Sequence, residues 1–144
     1  MARQFPLAGL LRLRQLREEE AAGSLAAANE RLRSSRTRAE VLNDALDGTD
    51  ISPAGSASLY AVAAARASAR SMMADLHALE AHLQGEQHRA QDQYRAARAA
   101  TMGLEKLEDR HRDTEAAALI GAEQRVLDEL ASVSSARRSA EERP

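Results

Sequence analysis

The sequence predicts an all-α protein: an elongated antiparallel two-helix coiled-coil hairpin whose second helix is longer than its first. Three observations predict it. The 144 residues include 32 alanines and 18 leucines, but one phenylalanine, two tyrosines and no tryptophan. Ala, Leu, Arg, Glu and Gln are strong helix formers, whereas a compact core depends on aromatics that bury roughly 150–250 Å² each. Second, helix breakers concentrate in one place, DGTDISPAGS at residues 47–56, with the remaining prolines at Pro6 and Pro144. Third, apolar residues recur at the alternating steps of four and three that mark a coiled-coil seam.

Taken in order, a first helix is expected over about 5–47, with Pro6 in its first turn, where a missing N–H costs nothing. Its seam reads Leu7, Leu11, Arg14, Glu18, Ala21, Leu25, Ala28, Leu32, Ser35, Ala39, Leu42 and Leu46, apolar at nine of twelve positions. A turn over about 48–56 follows. Gly48 is free to take a left-handed cap, and Ser52, Ser56 or Ser58 can cap the next helix. The second helix is expected over about 57–140, with Ala69, Leu76, Leu83, Ala90, Ala97 and Leu104 repeating at sevens. Beyond Leu107 that frame gives way to Leu119, Val126 and Val133, which signals a stutter or a change of partner. The whole chain, 1–144, reads as a single coiled-coil domain.

A short turn makes the helices antiparallel neighbours. If residues near 48 and 56 face each other, Leu7 lies opposite residues near 97. At 1.5 Å per residue the paired section is then about 60 Å long and the second helix about 125 Å. Roughly the last 40 residues are left without an intrachain partner, and an uncovered amphipathic helix is marginal on its own. Gly85, Gly103 and Gly121 stand 18 apart in the second helix. Either they are tolerated replacements for alanine, or Gly103 or Gly121 lets the helix bend or fold back into a short bundle.

The charge pattern and the motif inventory argue against catalysis. Twenty basic and 22 acidic residues are interspersed, for a net charge of −2, so no long-range field steers nucleic acid or anionic membrane. There is no cysteine, no phosphate-binding glycine loop and one lysine, Lys106, behind Glu105. His82 and Glu86 stand at i, i+4, but two ligands do not make a metal site. The run RLRSSRTR (Arg31–Arg38) lacks the aromatics that stack bases and is flanked by Glu30 and Glu40. No enzyme activity and no cofactor are expected. The N-terminal stretch is charged every few residues and has neither a signal-peptide core nor a membrane span, so a soluble cytoplasmic protein is expected.

Three blocks carry a resemblance: FPLAGLLRLRQLREEE (Phe5–Glu20), LEKLEDR (Leu104–Arg110) and EQRVLDELA (Glu123–Ala131), whose E-Q, short gap and D-E is the most specific piece. Together with a turn near one third of the chain, they resemble the flagellar export protein FliJ family over nearly the full length. The resemblance implies a non-enzymatic, stalk-like coiled coil of the flagellar type III export apparatus. In that family the end bearing both termini inserts into the hexameric export ATPase ring. The hairpin side faces the transmembrane export gate, and the protein also handles export chaperones. It thus implies a place at the inner face of the cell membrane, reached only through the export apparatus. Carried onto this chain, ring contact falls on Leu10, Leu11, Leu13 and Arg14, and on Glu123, Gln124, Leu127, Asp128, Glu129 and Leu130. No residue is assigned to the gate.

The block at 123–131 also falls in the section without an intrachain partner. Glu123, Leu127 and Leu130 share a helix face, with Val126 beside them, so the leucines suit anchoring while the polar residues meet polar or basic groups. Two alternatives stay open: a generic cytoplasmic coiled-coil adaptor that self-associates through the same seams, and an injectisome-type stalk with no flagellar role. Nucleic-acid binding through Arg31–Arg38 is a distant third.

Overall fold

A computed structural model describes residues 4–48 and 55–141, with side chains to residue 138. It contains two helices, α1 (Ala8–Asp47) and α2 (Ser56–Glu141), which pack against each other as an antiparallel pair, with no strand among the described residues. The expected turn lies largely outside the described residues, and with it the proposed capping by Ser52 ahead of Pro53.

The helix ends differ in detail from the expectation. Pro6 stands before the helix, in a turn closed by the Ala8 N–H donating to the Phe5 carbonyl at 3.2 Å. Proline is favoured at that second turn position. Leu7 then accepts the first helical bond, from the Leu11 N–H at 2.9 Å. At the far end α1 stops at Asp47, but Gly48 is not left-handed, for no glycine among the described residues has a positive φ. Its N–H instead continues the helical ladder onto the Asp44 carbonyl at 2.9 Å. The cap of α2 is Gly55 rather than a serine. Its carbonyl takes the Leu59 N–H at 3.0 Å, and the Ser58 hydroxyl accepts the Gly55 N–H at 3.1 Å. That reach-back from the third helical position is half of a capping box.

Contacts divide the chain into two units, each built from part of both helices. The unit Leu16–Arg98 holds most of the seam. On α1, Glu18, Ala21, Leu25, Ala28, Leu32, Ser35, Ala39 and Leu42 are the covered positions; on α2 they include Ala69, Met73, Leu76, Glu80, Leu83, Gln87, Ala90, Tyr94 and Ala97. These are the seam residues that the four–three stepping selects. Alternate layers on α2 from Glu80 onward (Glu80, Gln87, Tyr94) carry polar groups, so the buried strip is narrow. Three ion pairs cross it: Arg98 to Glu18 at 3.2 Å, Arg31 to Glu86 at 3.4 Å, and Arg36 to Glu80 at 2.7 Å. Arg33 pairs with Glu30 at 3.0 Å, so three arginines of the Arg31–Arg38 run already face carboxylates.

The other unit comprises Met1–Gln15 and Ala99–Pro144. Here Leu11 is buried and Thr101 is 1% exposed, the most enclosed side chain described. The Phe5 ring meets the His111 ring at 5.7 Å. That contact sets Leu7 opposite residues near 109, not 97. Both the covered strip on α2 and its frame consequently reach farther than expected. Leu104, Glu108, His111 and Glu115 are all part-covered in unbroken four–three steps. The change of frame read at Leu107 is a change of residue type, with polar side chains in unshifted seam positions. The uncovered section begins after Glu115, shorter than the 40 residues expected.

Gly85, Gly103 and Gly121 all lie within the single helix α2, so no fold-back into a third helix occurs among the described residues.

Candidate partner-binding surface

The ring-contact residues all fall in the unit holding both chain ends, yet they form two separate sets. On α1, Leu10 and Leu13 are 40% and 45% exposed, Arg14 is half-buried, and Leu11 is 6% exposed. Leu11 is buried where α1 packs against α2. On α2, Glu123 stands twelve residues past His111, about 18 Å along the helix at 1.5 Å per residue. The two sets therefore do not merge into one patch.

Every described residue from Ala116 to Arg138 is exposed except the half-buried Gly121. Within that stretch lie Leu119, Ile120, Val126, Leu127, Leu130 and Val133, with Leu127 and Leu130 at 63% and 62% exposure. At 100° per residue these six side chains, with Ala116 and Ala122, occupy one arc of about 160°. Glu123 sits near the middle of that arc and, with Ala122, Val126 and Leu127, lines a shallow hollow. Gln124 and Asp128 point to the opposite face and Glu129 to one flank. Of the four polar residues expected to meet the same partner surface, only Glu123 shares the face of the leucines.

Sequence reasoning missed Ile120 as a member of this surface, and read Leu119 and Val133 only as a repeat at sevens with Val126. The available signal was the i, i+3, i+7 spacing from Leu127 and Leu130 in both directions. The hydroxyls of this stretch are engaged with the helix itself. Ser132 donates to the Asp128 carbonyl at 2.7 Å and Ser134 to the Ala131 carbonyl at 2.9 Å. Such back-bonding satisfies a hydroxyl without a partner, so what remains for recognition is the apolar arc.

Among the described residues no cluster of three or more metal-binding side chains occurs. His82 Nε2 lies 3.4 Å from Glu86 Oε1, and Arg31 faces Oε2 of the same carboxylate. No helix described is long and apolar enough to cross a membrane.

The described residues thus form a helical-hairpin coiled coil whose second helix carries an uncovered amphipathic stretch. The sequence model of one family, the flagellar FliJ protein, matches residues 3–140. The chain belongs to this FliJ family, whose members are non-catalytic components of flagellar export. No curated protein and no solved structure matches the chain.

Proposed function

We propose that this chain is a stalk-like regulator of the flagellar export ATPase, inserting the α2 segment 116–138 into the ATPase ring and linking the ring to the export gate. The observation that carries the reading is the apolar arc of Leu119, Ile120, Val126, Leu127, Leu130 and Val133, exposed on a stretch of α2 that no described residue covers. A helix with six large apolar residues on one side is marginal in water, and a protein cavity that receives it removes the cost. Leu127 and Leu130 are the anchors. Glu123 meets a polar or basic group in the same cavity, while Gln124, Asp128 and Glu129 face its other walls. Leu10 and Leu13 form a second contact nearer the N-terminus.

Mechanistically, an asymmetric helix inside a sixfold ring favours closure of some subunit interfaces over others, and so alters hydrolysis without doing chemistry. Contact with the gate, escort of export chaperones and a position at the inner face of the membrane belong to the same reading. Membership of a flagellar family favours it over a generic adaptor or an injectisome stalk.

The test is steady-state ATP hydrolysis by the cognate flagellar export ATPase with three additions: the full chain, a chain ending at Glu115, and Leu127→Asp/Leu130→Asp. Stimulation by the full chain that both variants lose is the expected result. No stimulation by any of the three, with helicity confirmed by circular dichroism, rejects the regulatory role.

A further inference from the structure

We propose that the chain self-associates through the unit Leu16–Arg98 into a twofold, all-antiparallel four-helix bundle. The starting observation is an unfilled groove along one side of that unit. One hollow of about 600 Å³ is lined by Ala27, Arg31, Ser34, Arg38, Leu79 and Leu83 among others. A second, of about 400 Å³, continues from Arg38 to Leu42, Met72, Asp75 and Leu76. Stepping along either helix, these residues recur at threes and fours, so both hollows lie on the same side of the seam. Leu79 and Met72 stand exposed on the groove floor.

The need for cover is general to so narrow a seam. The protein exposes 11,301 Å², against about 7,300 Å² for a compact monomer of 15.6 kDa by the usual mass scaling. Two-helix hairpins commonly resolve this by pairing into four-helix bundles.

Charge selects a second copy as the occupant. The α1 rim of the groove carries Arg31 and Arg38, and the α2 rim carries Asp75 and Glu86. Arg31 and Glu86 lie at one level, since they pair within the chain at 3.4 Å; Arg38 and Asp75 border the same hollow. A twofold axis parallel to the helices lays α1 of each copy on α2 of the other at an unchanged level. Arg31 then faces the second copy's Glu86, and Arg38 faces the second copy's Asp75, each pair occurring twice. All neighbouring helices run antiparallel. Glu86 Oε2 already faces Arg31 within the chain at 3.4 Å, so the charges that select the second copy are Arg38 and Asp75. Glu30, also on the lining, sits at the outer edge of the α1 rim, where Arg33 already holds it.

The test is sedimentation equilibrium on the full chain over micromolar to millimolar concentrations, with Arg38→Asp and Asp75→Arg. Each variant alone places like charges across both symmetry-related contacts, and its dimer weakens at least about tenfold. An equimolar mixture restores both cross-contacts in the heterodimer while leaving each chain's own Arg38/Asp75 site mismatched. Rescue in the mixture therefore reads the intermolecular pairing alone. A wild-type chain that stays monomeric throughout overturns the proposal, as does a mixture no more associated than either variant. Neither outcome bears on the ATPase reading, which uses the other unit.

Discussion

Ser35→Ala is expected to stabilise the protein. Ser35 sits at a seam position of α1, is 4% exposed, and its hydroxyl has no hydrogen-bond partner. A buried, unsatisfied polar group costs about 1–3 kcal/mol, and alanine gains a few tenths of a kcal/mol over serine in helix propensity. The lower part of the first range applies, because the seam is one layer thick and water lies close on either side. The expected gain is about 1–2 kcal/mol, roughly 3–6 °C in melting temperature for a chain of this size. Ser34→Ala is the control: one residue away and exposed, it gains only the propensity increment. The assay is urea and thermal unfolding followed at 222 nm, at low concentration so that self-association does not contribute. Equal shifts for the two variants, or a loss for Ser35→Ala, refute the claim that this hydroxyl is desolvated without compensation.

The other perturbations test the seam, the helix interior and the extension. Leu32→Ala removes one of the few buried large side chains and is expected to cost about 2–3 kcal/mol in urea unfolding, low in the usual range because a two-helix seam collapses easily. Gly103→Ala places a methyl group where nothing lies within 4 Å and is expected to gain about 0.5–1 kcal/mol, since glycine in a helix interior costs about that much. A chain ending at Glu115 loses roughly a fifth of its helical residues and should lose a matching share of ellipticity. Its melting temperature stays within about 2 °C, because the described residues beyond Glu115 are almost wholly uncovered.

Which residues face the partner helix was legible in the sequence; which residues they face was not. Stepping by four and three from Leu7 picks out Leu11, Ala28, Leu32 and the polar members Arg14, Glu18 and Ser35 alike, because backbone periodicity, not side-chain type, decides which positions are covered. The same periodicity is degenerate to sliding one helix along the other by whole turns. The offset depends on pairings between distant segments, Glu18 with Arg98 and Arg36 with Glu80, which neither helix reveals alone. Setting residue 48 opposite residue 56 supplied the wrong offset. The candidate surface shows the same division. Leu127 and Leu130 were legible from spacing within one helix. The burial of Leu11, which removes it from that surface, depends on the partner helix, and so does the point at which cover ends.

The offset between the helices and the uncovered length of α2 are one quantity seen twice. Each heptad by which α1 is displaced along α2 uncovers or covers about 10.5 Å of the second helix. Seam residues do not strongly resist such a slip, because alanine and leucine recur at sevens on both sides. Displacing α1 one heptad toward the C-terminus of α2 sets Glu18 against Glu105 and takes Arg36 away from Glu80, replacing an attraction with a like-charge contact. It also brings Tyr94 onto Ala28, where Gln87 now sits, and adds bulk to a buried layer. One heptad the other way brings Arg14 toward Arg95. The charged and bulky residues interrupting the alanine–leucine repeat therefore set where cover by α1 ends. The arc from Leu119 to Val133 begins just past Glu115, the last part-covered residue of the four–three series. The cross-helix ion pairs contribute little stability as exposed pairs. Their larger effect is on register, because within the unit Leu16–Arg98 they pair opposite charges in one alignment of the two helices.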